Sequence, residues 1–437
     1  MAKVSLSSFD PTVASGDYQL AQRIAQGEIG ARNTPQDLLW NLQSGALQRM
    51  LKDYASSNAY FERVENALRY YDQRNIAERS AKGVQGMLFN DSALPYTGRA
   101  QDRVMVNTYK ALNYMALGDP KKARVEFNRA MHRQNQAKAY FSEQAQKARI
   151  ELPQNEPSSD PDADTVTKTL NNPELERIIN ERYQSLNDIK IYSQFINSFT
   201  PYIAGLFFWL EGDHAKATDM LKEAYALNSA HPTIASDLAR AARGETPRGG
   251  LWVIYEGGLA PRREEVRFDI PLISDDIPVK YIGIALPKLA EGEKAHASLS
   301  IAAGGQTVST EPLADISNCV RAEFRRELPA ITAREISRVI LKTYFQYRLE
   351  YNYGFVAGLA GGLYQAATTA VDVRSWTALP DSFQAAHLKI PSDHRVTVTA
   401  PEGETTEINI PPECKNVILY IRIVASKATP VIDLIKF

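Results

Sequence analysis

The stretch NYMALGDPKKARVEFNRA, Asn113 to Ala130, decides the reading of the fold. Together with the residues just before it, it sets Ala111, Tyr114, Gly118, Asp119, Ala123, Phe127 and Ala130 at the spacings of a tetratricopeptide unit, two antiparallel helices joined by a tight turn. Small side chains at Ala111 and Ala123 let the helices approach, Tyr114 and Phe127 fill the space between them, and Gly118-Asp119 makes the turn. The stretch FFWLEGDHAKATDMLKEAYAL, Phe207 to Leu227, repeats the pattern with Gly205, Phe208, Gly212, Asp213, Ala217, Leu221 and Ala224. A weaker third copy lies around Gly45, Asp53, Ser57 and Phe61. Repeated hairpins of this kind predict an all-α, tetratricopeptide-like domain over residues 1–245.

Working outward, the copies are separated by ELPQNEPSSDPDADT from Glu151, whose prolines and carboxylates bury no apolar surface, so residues 151–164 are expected to form a flexible acidic loop. Pro173 is suited to open a helix, and Leu175, Ile178, Ile179 and Tyr183 recur at helical spacing after it. At RGETPRGG, Arg243 to Gly250, the period changes. Runs starting at Leu251, Val266, Val279 and Ala297 read as strands, and others follow at Phe383, Arg395 and Val417. Between the two groups, helices are expected over about 312–370, with Ile336, Val339, Ile340, Tyr344 and Tyr347 as one apolar stripe. The expected fold class is therefore α+β: helical repeats, then a second domain over 250–437 with mostly antiparallel strands.

Composition narrows the function. With 50 Lys and Arg against 51 Asp and Glu there is no overall field to attract nucleic acid or an anionic bilayer, so no nucleic-acid partner is expected. Cys319 and Cys414 are too few for a disulfide framework and leave open one bridge or two buried thiols. The chain carries no G-x-S-x-G elbow, phosphate loop, H-E-x-x-H or C-x-x-C, and its histidines are scattered, with only His387 and His394 near each other. No catalytic residue, cofactor or metal is expected; a hydrolase using Asp372 or another buried carboxylate is the enzyme alternative, without a paired carboxylate or nucleophile to support it.

Three features remain. The uncharged segment GFVAGLAGGLYQAATTAV, Gly354 to Val371, spaces Gly354, Gly358 and Gly362 for close packing and reads as a buried helix rather than a membrane contact. Arg334, Arg338 and Lys342 form a basic row at helical spacing, read as a solvated face, with contact to an anionic partner as the alternative. In VDVRSWTALP, Asp372, Arg374 and Trp376 alternate so that an extended chain turns all three to one side, where the indole would cover an ion pair.

GMLFNDSALPYTGRAQDRVMVNTYKALNYMALGDPKKARVEFNRAMHRQ, Gly86 to Gln134, the repeat near Phe207 and VDVRSWTALP together resemble a family of bacterial cell-envelope proteins, tetratricopeptide-containing lipoproteins, over most of the chain. The resemblance marks Asn90, Asp91, Tyr96, Tyr109, Asn113, Glu126 and Arg129, then Asp372, Arg374, Ser375 and Trp376, as characteristic, and most of these as candidates for partner binding. It implies an exported scaffold of the periplasm, associated with the outer membrane through an N-terminal lipidated cysteine, that binds envelope proteins and has no enzymatic activity. Regulation of a cell-wall synthase or of an outer-membrane export complex is the alternative it suggests. The first residues, MAKVSLSSFDPTVASGDY, carry neither a signal core nor a lipidation cysteine, which makes a cytoplasmic location the other expectation.

Overall fold

Glycine and aspartate in the turns, and one small residue facing one large residue across each hairpin, organise the first half of the chain. The computed structural model describes residues 2–78, 95–150, 161–186, 197–274, 280–353 and 371–437. Three hairpins are formed by α3 (Leu38–Met50) with α4 (Tyr54–Glu78), α5 (Ala100–Ala116) with α6 (Pro120–Ile150), and α9 (Phe199–Leu210) with α10 (His214–Leu227). In each, an aspartate N–H reaches back to a carbonyl five residues earlier, Asp53 to Gln48, Asp119 to Tyr114 and Asp213 to Phe208, as in a Schellman closure. The same aspartate then accepts from the backbone of the next helix, at Ser56, Lys122 or Lys216. Gly118 and Gly212 hold the left-handed conformation this needs, whereas Lys52 holds it in the first hairpin at φ 61°, which is why that copy reads as the weakest.

The interhelical contact is equally regular. A Cβ at Gly45 would lie 2.4 Å from the ring of Phe61, and one at Gly205 would lie 2.7 Å from Leu221 Cγ. Ala111 and Phe127, both fully buried, take the same places in the middle hairpin. Helices α1 (Ala2–Ala14) and α2 (Tyr18–Glu28) precede the hairpins and α11 (Pro232–Ala242) closes them.

The second half supplies two stacked sheets, which with the helical hairpins make three layers. A five-stranded sheet has the order β11-β10-β1-β7-β6, where the strands are β1 (Gly250–Gly257), β6 (Glu311–Asp315), β7 (Ser382–Lys389), β10 (Asn416–Ile423) and β11 (Val431–Lys436). Its pairings are antiparallel except for β1 with β10, which run parallel. Every residue of β1 is buried because both faces are covered, which explains the unbroken apolar run LWVIY. Trp252 and Ile254 pack on the helical hairpins. Leu251, Val253 and Tyr255 pack on a four-stranded sheet of β4 (Ser300–Ala303), β5 (Gln306–Ser309), β8 (Arg395–Thr399) and β9 (Thr405–Asn409). In chain order helices give way to strands at Gly250, as expected; in space the largest core runs without a break from Leu38 through Trp252 to Ile435.

A separate cluster joins α7 (Pro161–Leu170), α8 (Pro173–Arg182), the hairpin of β2 (Arg262–Pro271) with β3 (Tyr281–Ala290), and the long helix α12 (Ile316–Tyr353). Leu175 and Tyr183 bury there with Ile336, Val339 and Ile340, so the predicted stripes meet one another, while Tyr347 at the end of its stripe is exposed.

Several expectations are corrected. The acidic loop does not extend to 164, because Pro161 opens α7 as its first residue; residues 151–160 and 354–370 lie outside the described ones. The basic row on α12 is a solvated face only at Arg334, which is exposed: Arg338 and Lys342 are buried, and Arg338 pairs with Glu335 one turn away. Strands β5, β6, β9 and β11 are too short or too polar to show as alternating runs. Cys319 and Cys414 are both free thiols, the first buried.

Candidate binding cleft

Tyr96 to Arg103, at the entry to α5, is where the helical half meets α12. Asp102 caps its own helix by accepting from Arg99 N at 2.8 Å, and it also accepts the Tyr96 hydroxyl at 2.5 Å. Burial pushes the Asp102 carboxyl up, against those two hydrogen bonds, and pushes the Tyr96 hydroxyl well up too. The next N–H, of Ala100, donates to Glu323 of α12 at 2.8 Å. Glu323 is buried, and burial with Glu327 beside it pushes its carboxyl up to about 8. Glu327 is shared by two guanidiniums, Arg263 of β2 at 2.6 Å and Arg99 at 3.4 Å. Arg99 also donates to the carbonyl of Arg374 at 2.8 Å, and Arg374 is paired with Asp372 at 2.7 and 3.1 Å.

Around this joint lies an open cleft of about 740 Å³. The helical half contributes Arg99, Arg103 and Arg133, while β2 contributes Arg263, α12 contributes Arg326 and Arg334, and the segment before β7 contributes Arg374. A second cavity of about 590 Å³ shares Asp72, Arg103, Arg133 and Gln136 with it and continues along α4, α5 and α6 past Arg129 and His132.

Beneath that continuation sits Lys110, 1% exposed, with Glu62 at 2.8 Å, Glu126 at 3.1 Å and Glu65 in contact. Asn107 donates to both Glu65 and Glu126. Burial alone would raise Glu65, but Lys110 and Asn107 hold it below its usual range; burial would lower Lys110, and Glu65 and Glu126 hold it above. Arg129 on Glu126 at 2.9 Å and Arg133 on Glu65 at 3.5 Å complete the compensation of charge in place.

The residues singled out by sequence fall into three groups. Asn90 and Asp91 lie outside the described residues. Tyr96, Asp372, Arg374 and the half-exposed Arg129 line the cleft and its continuation. Tyr109, Asn113, Glu126 and Trp376 are buried and present no surface to a partner. The Tyr109 hydroxyl donates to Glu256 of β1 at 2.6 Å, and Asn113 donates to Ser57 and Asn58 of α4. Trp376 does not cover the Asp372–Arg374 pair as expected. The chain there is not a strand, and the indole turns into the core against Phe61 and Tyr109, with centroids at 5.8 and 5.9 Å. The ring beside Arg374 is Tyr96, at 6.0 Å.

Sequence reading did not find Arg99, Arg103, Arg133, Arg263, Glu323 or Glu327, because they come from elements far apart in the chain. One signal was available: Arg326, Ala330 and Arg334 share a helix face at four-residue spacing. Among the described residues no group of His, Cys, Asp or Glu is arranged to hold a metal ion, and no helix is long and apolar enough to cross a membrane. No protein-family model, curated protein or solved structure matches the chain.

Proposed function

We propose that the protein is a non-enzymatic scaffold that holds a segment of another protein in the cleft between its helical hairpins and α12. The observation that carries this reading is the cleft itself: it is open, about 740 Å³, and walled by side chains already held in ion pairs. Such walls offer surface and hydrogen bonds without rearrangement, which suits binding. A place in the bacterial envelope, and a partner among envelope proteins, rest on the family resemblance alone.

The test is site-specific photocrosslinking. Gln136 is exposed and lines both cavities, and Glu407 is exposed on β9 of the four-stranded sheet. A photoreactive residue at 136 should give a discrete adduct in an envelope extract, and one at 407 should not. Equal labelling at both positions, or none at 136, overturns the reading. The identity of the adduct separates a general adaptor from a regulator of a cell-wall synthase or export complex.

A further inference from the structure

We infer that the segment held in the cleft is an acidic peptide; the inference rests on the docking function proposed above and specifies its occupant. Among the described residues, the cleft wall carries seven arginines against five carboxyl groups, Asp72, Glu323, Glu327, Glu335 and Asp372. Two of the five contribute little charge to it. Glu323 is spent on the Ala100 N–H, and its burial beside Glu327 pushes its carboxyl up, towards the uncharged form, while Glu335 is turned to the buried Arg338. Of the remaining three, Glu327 is divided between Arg99 and Arg263. The described part of the wall is thus richer in cations than in carboxylates, in a protein whose net charge is only −1.

The arginines are also well prepared to take carboxylates. A guanidinium has five N–H donors in a fixed fork, and one carboxylate engages about two of them. Arg99, Arg133 and Arg374 have side chains only 15–17% exposed, so an incoming anion meets them in partly desolvated surroundings, where a charge-assisted hydrogen bond is stronger than in water. The pattern fits a peptide better than a nucleic acid. Asp72, Glu327 and Asp372 are interspersed among the arginines, and the small apolar side chains of Ala137 and Ala330 lie between them. A duplex presents a phosphate about every 1.7 Å and would be repelled at each carboxylate, whereas a peptide offers N–H donors and apolar side chains between its acidic groups.

The test uses the full chain and fluorescent peptides of about ten residues, rich in Asp and Glu, neutral, or rich in Lys, read by anisotropy at low and high salt. The acidic peptide should bind, weaken steeply with salt, and lose about tenfold or more in affinity with Arg103→Gln and with Arg133→Gln. Arg177→Gln, at an exposed residue of α8 that is not among those lining the cleft, should leave binding unchanged. Where an arginine variant fails to fold, judged by its circular dichroism and melt, labelling of the acidic peptide by the photoreactive residue at 136 in the otherwise unaltered protein decides. Equal binding of the neutral or Lys-rich peptide, preferential binding of a single-stranded oligonucleotide, or failure to label the acidic peptide overturns the inference. If the partner adduct at 136 forms and excess acidic peptide does not compete with it, the docking function stands and the acidic occupant falls.

Discussion

Asp237 of α11 is fully buried and its two carboxyl oxygens are treated unequally. Oδ2 accepts from the Tyr202 hydroxyl and from Trp252 Nε1, both at 3.0 Å, while Oδ1 lies 4.0 Å from Nδ1 of His387 with no hydrogen bond of its own. His387 is stacked on Trp252, with centroids 4.5 Å apart. Burial pushes Asp237 from 3.8 up to about 7, against Trp252, Tyr202 and Arg240, and burial with Arg240 pushes His387 from 6.5 down to about 4. Between those limits the folded protein holds a neutral acid beside a neutral imidazole, while the unfolded chain holds a carboxylate and an imidazolium. Both states carry one proton.

The signs follow from that proton count. The raised Asp237 contributes stability that is fully present below 3.8 and is lost as the pH rises through about 7, a range of about 3 pH units or about 4 kcal/mol. The depressed His387 contributes stability that is present above 6.5 and lost as the pH falls through about 4, about 3 kcal/mol in all. From about pH 4.5 to 6.5 the two slopes cancel, so the pair leaves the wild-type stability flat there. Single substitutions uncover them. Relative to wild type, Asp237→Asn should lose about 3 kcal/mol as the pH falls from about 6.5 to 4.5, and His387→Gln should lose about 3 kcal/mol as it rises over the same window. Urea unfolding at a series of pH values, analysed as differences from wild type, removes the other titrating groups from the comparison. If both variants run parallel to wild type across the window, the pair is not neutral in the folded protein and the reasoning fails.

Three further outcomes test the packing. Gly205→Ala places a methyl 2.7 Å from Leu221 Cγ and 3.1 Å from the Leu221 backbone nitrogen, so it should cost about 1–3 kcal/mol in a urea melt; an unchanged midpoint would contradict the close helix approach. Lys110→Met leaves Glu65 and Glu126 with Arg129 and Arg133 at their outer edge in place of the buried ammonium and should cost about 3 kcal/mol at neutral pH, with partial recovery in acid as Glu65 protonates; a neutral or stabilising substitution would show that the cluster is not charged as described. Trp376→Ala empties a core position and should cost about 3–5 kcal/mol, whereas Asp372→Ala, at a partly exposed pair, should cost only about 1 kcal/mol; thermal melts that reverse this order would return Trp376 to the cleft.

The hairpins were legible because their pattern is local. The small residue and the large residue that meet are sixteen apart in all three copies, 45 with 61, 111 with 127 and 205 with 221, and each turn is closed by the residues that form it. Only Lys52, left-handed where the other two hairpins have glycine, blurred the first copy. The sheet was legible as separate runs but not in its order. The parallel pairing of Leu251 with Val417 joins strands more than 160 residues apart, and β11 reveals itself only by lying beside β10. Burial of Arg338 and Lys342 was hidden for the same reason: nothing on α12 announces that α7 and β3 pack over it. Asp372 and Arg374 were legible as a pair, being two residues apart, but the direction of Trp376 depends on Phe61 and Tyr109, which no local pattern connects to it.

The cleft depends on contacts of this distant kind, and they make it rigid. Gln43 of α3 donates to the carbonyl of Ser375 and to the Thr377 hydroxyl and accepts from Ala378 N, which fixes the segment carrying Arg374 to the first hairpin. Tyr109 and Tyr420 both donate to Glu256, which fixes α5 over the sheet, and Ala100 N on Glu323 fixes the start of α5 to α12. All but the last, which is part-buried, are buried ties, and a buried hydrogen bond left half-made costs more than a made one contributes, so the ties hold together or fail together. The arginines of the cleft are consequently held at set distances before any ligand arrives, and little ordering entropy remains to be lost on binding. That places the selectivity of the site in the spacing of its walls. Substituting Gln43, whose hydrogen bonds go to Ser375, Thr377 and Ala378 rather than to the described lining of the cleft, should therefore weaken an acidic ligand as well as the fold, whereas substituting Arg103 should weaken the ligand and spare the fold.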